Sequence, residues 1–172
     1  MTPVGYRRLI LTRHAKSAWD DPTISDHARP LNRRGVRAAL ELGEWLNSRG
    51  YEPDQVLCSD AVRTRETWAT LAAAPVEVTP RIEFLPSLYL AAPDQMLAIL
   101  KEANGDSVMM IGHNPGIAEL AGILAARAPN HADFHRYPTA ATLVLDFQII
   151  DWKDVKAATG SVLDFFVPSG RD

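Results

Sequence analysis

The sequence predicts an α/β protein in which a mostly parallel central sheet lies between two layers of helices. Short apolar runs without polar alternation occur at residues 9–12, 56–58 and 108–111. Such runs are typical of strands that are covered on both faces. Segments with apolar residues at helical spacing separate these runs, and strands alternating with helices favour a parallel sheet. We therefore expect a three-layer α/β/α sandwich.

The helices follow from apolar periodicity and from the residues that begin or end each run. Four helices are predicted, at residues 34–49, 60–73, 94–103 and 114–127. Gly50 ends the first pattern, and Pro93 precedes the third. For the fourth helix, Asn114 is a suitable N-cap and Pro115 a suitable first residue.

Three further segments complete the predicted sheet. Val76-Glu77-Val78 is a weak candidate for a strand between the second and third helices. Residues 142–150 and 161–167 predict two strands on either side of a polar, turn-rich link, which we expect as an antiparallel pair at an edge of the sheet. Residues 19–33 contain two prolines and many polar side chains, and they follow the first strand as a loop.

Composition limits the classes of function. The 172 residues suit one domain, expected to span 1–172, and the net charge of −3 is spread along the chain, so nucleic-acid binding is not expected. No apolar stretch approaches the ~20 residues of a membrane span, and residues 1–8 lack a signal-peptide core. The single cysteine, Cys58, falls in a buried strand and is expected to be unreactive. A cytoplasmic location without membrane attachment is the expectation.

Basic and imidazole side chains follow three of the predicted strands. The first strand ends in Arg13-His14, the second is followed by Ser59-Asp60 and then Arg63, and the strand at 108–111 ends in Gly112-His113-Asn114. Ligands of open parallel sheets bind beyond the carboxyl ends of the strands. We therefore expect two arginines and two histidines to meet at one edge.

This set of side chains suits a phosphoryl group. Each guanidinium can hold two oxygens in a fixed fork, and helix N-termini add backbone donors. A histidine in this positive field has a depressed pKa, so its lone pair stays available to attack phosphorus near pH 7. The residues thus predict phosphoryl transfer through a nucleophilic histidine.

The same three segments resemble the motifs of a known family. LTRHAKSAW at 11–19, SDAVRTRET at 59–67 and VMMIGHNPG at 108–116 resemble, in this order, the motifs of the histidine phosphatase superfamily, whose fold is phosphoglycerate mutase-like. Arg29-Pro30-Leu31 with Gly35 resembles the stretch after the first motif in short bacterial members. The closest resemblance is to the SixA-like phosphohistidine phosphatases.

The resemblance implies a reaction in two steps and a set of site residues. His14 would take the phosphoryl group and water would then release phosphate, while Arg13, Arg63 and His113 neutralise the oxygens. Ser17, Arg29 and Asn114 are further candidates for substrate binding. No metal and no cofactor is expected, because the cationic side chains supply the charge that Mg²⁺ supplies elsewhere.

Three positions depart from the family pattern. Ala15 replaces the usual glycine, which a negative backbone angle would permit. Asp20 stands where relatives carry a phosphate-binding asparagine, and Ser87 stands where mutases carry a glutamate general acid. An acid would then have to come from Glu83, Asp20 or Asp21. Without one, a phosphoramidate is favoured, because its nitrogen can leave already protonated.

Several functions remain open from the sequence. The leading hypothesis is dephosphorylation of phosphohistidine on a phosphotransfer protein. The alternatives are a phosphomonoesterase acting on a small phosphorylated metabolite and, from another class, a phosphoprotein-binding module that has lost catalysis. A mutase is disfavoured by the short chain. His131 and His135 have a spacing that could bind zinc but are expected in a solvated loop, and the sequence does not settle the role of Trp19.

Overall fold

The computed structural model describes residues 5–170, so the first four residues of the predicted N-terminal segment lie outside the described part. Six strands form one sheet: β1 (Arg7–Arg13), β2 (Gln55–Ser59), β3 (Arg81–Leu85), β4 (Ser107–Gly112), β5 (Thr142–Phe147) and β6 (Ser161–Phe166). Four helices accompany them: α1 (Arg33–Arg49), α2 (Val62–Leu71), α3 (Pro93–Lys101) and α4 (Gly116–Leu124).

The sheet has the strand order β3-β2-β4-β1-β5-β6. The strands β3, β2, β4 and β1 pair in parallel, whereas β5 pairs antiparallel with both β1 and β6. The prediction of a mostly parallel sheet with an antiparallel pair at one edge is therefore confirmed. The carboxyl ends of β1, β4 and β2 lie side by side.

The two faces of the sheet bury separate apolar clusters. Ile10 of β1 and Met109 of β4 pack with α1 and α2, for example against Leu42. Leu11 of β1 faces the other way and packs with α3 and α4, in the cluster that contains Leu120. Successive side chains of a strand point to opposite faces, so continuous apolar runs are needed, and the predicted three-layer sandwich is confirmed.

The predicted strand at 76–78 is wrong, and the edge strand is β3. Pro75 and Pro80 flank the predicted segment, and proline cannot donate a backbone hydrogen bond to a neighbouring strand. Val76 and Val78 are instead exposed. The strand begins at Arg81, whose backbone N–H donates to the Asp54 carbonyl.

The predicted start and end of the fourth helix are also wrong. Pro115, not Asn114, is the N-cap of α4, and the Asn114 side chain accepts a hydrogen bond from the Ala118 N–H at 3.3 Å. The helix ends at Leu124 because Ala125 turns to an extended conformation and pairs with Gly160.

The environments of the single cysteine and of two further histidines agree with the sequence analysis. Cys58 is buried in β2, and burial raises the pKa of its thiol to about 12, so it is unreactive as predicted. His131 and His135 are exposed in a turn-rich segment, in agreement with the prediction. Between residues 5 and 170, no helix is both long and apolar enough to cross a membrane.

Candidate active site

The three strand ends open into one cleft of about 400 Å³. The register of the sheet places Arg13 of β1 beside Gly112 of β4, while Cys58 of β2 pairs with Ile111 of β4. The structure thus brings the predicted residues together, and the cleft is lined by Arg13, His14, Ser17, Arg63, His113 and Asn114.

His14 is held in one orientation by a neighbouring backbone carbonyl. Its Nδ1 lies 2.6 Å from the Ala15 oxygen. Because a carbonyl can only accept, Nδ1 carries the proton and Nε2 keeps its lone pair. Burial is the main reason why the pKa of His14 falls to about 3, and the nearby positive charge of Arg13 lowers it further. The imidazole is therefore neutral at pH 7 and leaves Nε2 unprotonated.

Arg13 and Asn114 share a single anchoring oxygen. The Tyr137 carbonyl accepts from Arg13 Nη1 at 3.1 Å and from Asn114 Nδ2 at 3.1 Å. Tyr137 is fully buried with a positive φ of 48°, and its hydroxyl donates to the Leu11 carbonyl. Such a backbone angle is costly for a non-glycine residue. The buried ring and its hydroxyl hydrogen bond hold Tyr137 in this conformation, in which its carbonyl points at the two side chains.

Arg63 is bound by an aspartate that the sequence did not single out. Arg63 Nη2 lies 3.0 Å from Asp26 Oδ2, and Nη1 donates to the Asp26 carbonyl at 2.7 Å. The Tyr89 hydroxyl donates to the same carboxylate oxygen. That hydrogen bond, followed by Arg63, lowers the pKa of Asp26, which is therefore ionised at neutral pH.

His113 is buried beside the nucleophile. Its Nε2 and Ser59 Oγ form a 2.7 Å hydrogen bond, and its ring centroid lies 5.3 Å from that of His14. Burial, followed by the charge of Arg63, lowers the pKa of His113 to about 4. Within residues 5–170, its Nδ1 is buried and has no hydrogen-bond partner.

The inner end of the cleft therefore combines the cations Arg13 and Arg63 with two neutral imidazoles. Burial and the charge of Arg63 lower the pKa of Arg13, which still remains a cation. A phosphoryl dianion would relieve the repulsion between the two guanidiniums in the cleft that His14 also lines.

The loop that follows the first motif is closed at its base. The Ala18 N–H donates to Pro30 at 2.8 Å, the Asn32 N–H donates to Lys16 at 3.0 Å, and Ser17 forms an isolated antiparallel bridge with Leu31. We call these paired segments, 16–18 and 30–32, the loop neck.

A close backbone contact joins the loop neck to α1. A Cβ on Gly35 would lie 2.1 Å from the Lys16 carbonyl oxygen, so only glycine permits this approach. The predicted tolerance of Ala15 is consistent with the structure, because Ala15 is not among the described residues with positive φ.

Arg29 is buried in this loop but does not line the cleft. Its guanidinium carbon lies 3.7 Å above the ring centroid of Trp19, and Nη1 donates to the Ala18 carbonyl. The Arg29 guanidinium thus contacts its own loop, and its contact with substrate stays a prediction. Trp19 does line the cleft, and it is 71% exposed.

The three candidate acids lie away from the cleft lining. Glu83 is exposed in β3 and accepts from Gln55, the first residue of β2, whereas the cleft lies at the other end of that strand. Asp21 accepts hydrogen bonds from Thr23, which lower its pKa. Asp21 is therefore ionised at neutral pH and has no proton to donate. Asp20 is exposed and also outside the lining.

Sequence reasoning did not single out several charged residues of the cleft. The carboxylates of its lining are Asp26 and Asp133, and its outer cations are Lys16, Arg34 and Arg136. Isolated charges in polar segments carry no pattern, so only the position of Asp26, three residues before the matched segment that begins at Arg29, could have suggested it.

Comparisons with known proteins agree with this geometry. The model of the histidine phosphatase superfamily (branch 1) matches residues 9–83. An uncharacterized chloroplastic protein of Arabidopsis thaliana is 40% identical over 129 residues, covering 69% of this chain and 59% of that protein. An uncharacterized protein of Mycobacterium tuberculosis is 37% identical over 167 residues, covering 91% of this chain and 99% of that protein.

A solved structure extends the similarity over the whole fold. A protein of Nakamurella multipartitia, assigned as a SixA phosphohistidine phosphatase, is 31% identical with a TM-score of 0.80, covering 98% of this chain and 99% of that one. The cleft and this match point to the same chemistry on a phosphorylated substrate. The chain belongs to the histidine phosphatase superfamily, in its SixA-like group.

Proposed function

We propose that this phosphatase removes the phosphoryl group from phosphohistidine on a phosphotransfer protein, through a covalent phosphohistidine at His14. The observation that carries the proposal is the Nδ1 contact of His14 with the Ala15 carbonyl, which leaves Nε2 as the attacking atom. Arg13, Arg63 and His113 in the same cleft support it.

In the first step, the lone pair of His14 Nε2 forms a bond to phosphorus. The bond between phosphorus and the substrate nitrogen breaks, and its electron pair stays on that nitrogen. When the other ring nitrogen of the substrate carries a proton, the leaving group is a neutral imidazole and needs no acid from the enzyme. Arg13 and Arg63 bind the phosphoryl oxygens. When the Ser59 hydroxyl donates to His113 Nε2, Nδ1 carries the proton and donates to a third oxygen.

In the second step, water attacks phosphorus and the electron pair of the broken bond returns to Nε2. Because Nδ1 keeps its proton throughout, His14 also leaves as a neutral imidazole. The proton of the water passes to a carboxylate, and Asp26 is the ionised candidate in the cleft lining. The products are inorganic phosphate and the free enzyme.

The state of Asp26 favours a nitrogen leaving group, and Asp133 is the other carboxylate of the lining. A phosphate ester needs a protonated group beside its oxygen, but Asp26 is ionised and engaged with Arg63 and Tyr89. Glu83, Asp20 and Asp21 lie outside the lining. A cytoplasmic location, with a phosphotransfer protein of a signalling or sugar-uptake pathway as partner, forms part of the same proposal.

The test compares hydrolysis of a phosphohistidine-bearing phosphotransfer protein with that of a panel of phosphate monoesters, using wild type and His14→Ala. We expect the phosphoramidate to be cleaved at least roughly 100-fold faster, and the variant to cleave neither. Comparable or faster ester cleavage would overturn the choice of substrate and would make Asp133 and Asp26 the acids to examine. Tight phosphoprotein binding without any turnover would instead support the binding module.

A further inference from the structure

Trp19 combines high exposure with a fixed position at the mouth of the cleft. Its side chain is 71% exposed, although it lines the same cleft as His14. One face of the indole is covered by the Arg29 guanidinium, 3.7 Å from the ring centroid. Because Trp19 lines the cleft and Arg29 does not, the face of the indole that Arg29 leaves uncovered is the one available to the cleft.

Arg29 and the backbone beside Trp19 are tied to the loop neck. Arg29 is only 8% exposed and donates from Nη1 to the carbonyl of Ala18, the residue before Trp19. The Ala18 N–H in turn donates to Pro30, the residue after Arg29. Arg29 Nε lies 3.9 Å from Asp26, which offsets part of its charge. A side chain ordered in advance loses little entropy on binding.

The cleft has room for more than a phosphoryl group. Its volume of about 400 Å³ falls within the range of small-molecule sites, so part of it is left for the group to which phosphorus is attached. Aromatic side chains in such positions stack on flat rings and accept many ring types, because every flat ring has a π face.

From this arrangement we infer that Trp19, supported by Arg29, is a stacking platform for the leaving group, and that the enzyme prefers substrates whose phosphoryl group is attached to a flat ring. The inference rests on the proposed function, because it concerns the leaving group of the proposed substrate, which the catalytic residues do not contact. An imidazole ring, as in phosphohistidine, is the ring of the proposed substrate. Trp19 acts here as a specificity residue and takes no part in bond breaking.

The first experiment measures binding and does not depend on catalysis. Phenylphosphonate and methylphosphonate have a stable carbon–phosphorus bond and differ in the ring, so their affinities are compared by calorimetry in wild type, Trp19→Phe and Trp19→Leu. We expect wild type to prefer the ring by roughly tenfold, Phe to keep most of this preference, and Leu to lose it. Leucine remains apolar, so it separates stacking from simple burial of apolar surface.

The second experiment measures turnover of phosphoimidazole and phosphoramidate, which share a phosphorus–nitrogen bond but differ in the ring. The ratio of their kcat/KM values should fall by roughly tenfold in Trp19→Leu and recover in Trp19→Phe. Thermal unfolding of each variant, together with its affinity for methylphosphonate, checks that the fold and the phosphate end are intact.

The outcomes separate the platform from the proposed function. A ring preference that survives in Trp19→Leu overturns the platform, whether or not phosphoramidates are cleaved. Suppose that wild type cleaves neither phosphorus–nitrogen compound, and that the preference of wild type for phenylphosphonate is absent in Trp19→Leu. The platform then stands and the proposed substrate is wrong. Loss of methylphosphonate binding in Trp19→Leu would also overturn it, because the variant would then disturb the phosphate end.

Discussion

The inner end and the mouth of the cleft are built in different ways. At the inner end, His14, Arg63 and His113 are at most 7% exposed; the two histidines directly follow strands, and Arg63 lies in the first turn of α2. At the mouth, Trp19 and Leu90 are more than half exposed and come from loops. One region is held by the sheet, and the other only by its local contacts.

The difference suggests a division of labour within one pocket. Bond breaking needs atoms held to fractions of an ångström, and backbone partners such as the Ala15 and Tyr137 carbonyls provide that precision. Choice of substrate needs only a complementary surface, which loops can supply and vary. Changes at the inner end should therefore abolish turnover, whereas changes at the mouth should alter selectivity.

The largest effect is expected from His14→Gln. Without the imidazole no covalent intermediate forms, so kcat should fall by at least about 1,000-fold, and no labelled phosphoenzyme should be trapped after acid or denaturant quench under conditions that preserve phosphohistidine. His135→Gln is the matched control, because His135 is exposed and outside the cleft lining. A labelled His14→Gln protein would place the nucleophile elsewhere.

The second prediction concerns the guanidinium of Arg63 at the inner end of the cleft. Arg63→Lys keeps the charge but cannot hold Asp26 and a phosphoryl oxygen together, so kcat/KM for phosphoimidazole should fall by about 100-fold. Arg65→Lys, on the same helix but exposed and stacked on Phe84, should change it by less than about twofold. Equal losses in the two variants would contradict a specific role for Arg63.

The third prediction concerns stability and pH. The folded pKa values of His14 and His113, about 3 and about 4, lie below the ordinary value of 6.5. As the pH falls through 6.5 the unfolded chain binds protons first, so stability is full above that pH and declines toward pH 4. At pH 5 His14 alone should account for a loss of roughly 2 kcal/mol.

Denaturant unfolding at pH 7 and pH 5 measures this decline. The decline should be smaller in His14→Gln than in wild type, because the variant lacks one of the two buried imidazoles. An equal decline in the two proteins would show that other groups cause it. Exposed carboxylates that the variant shares with wild type cancel in this comparison.

The smallest effect is expected where sequence reasoning placed an acid. Glu83→Gln and Asp21→Asn should each change kcat/KM by less than about twofold on any substrate, since neither carboxylate lines the cleft. Steady-state kinetics on a phosphate ester is the most sensitive readout, because esters depend most on an acid. A tenfold loss in either variant would show that the carboxylate reaches the substrate.

The sequence predicted the parts of this protein that the sheet dictates. Arg13, His14 and His113 follow apolar runs, and the strand ends had to meet once the sheet was parallel. The contacts of Asp26 and Tyr137 could not be predicted, because they join residues 37 and 124 positions apart through loops without periodicity. For the same reason the stacking of Arg29 on Trp19 within one loop could not be predicted.

The loop neck has a consequence for how such enzymes can diversify. Because segments 16–18 and 30–32 pair with each other, the chain enters and leaves the intervening loop at nearly the same point. Loops with adjacent ends tolerate changes in length at little cost. Residues 20–24 could therefore be lengthened, shortened or exchanged while Trp19, Arg29 and His14 stay in place.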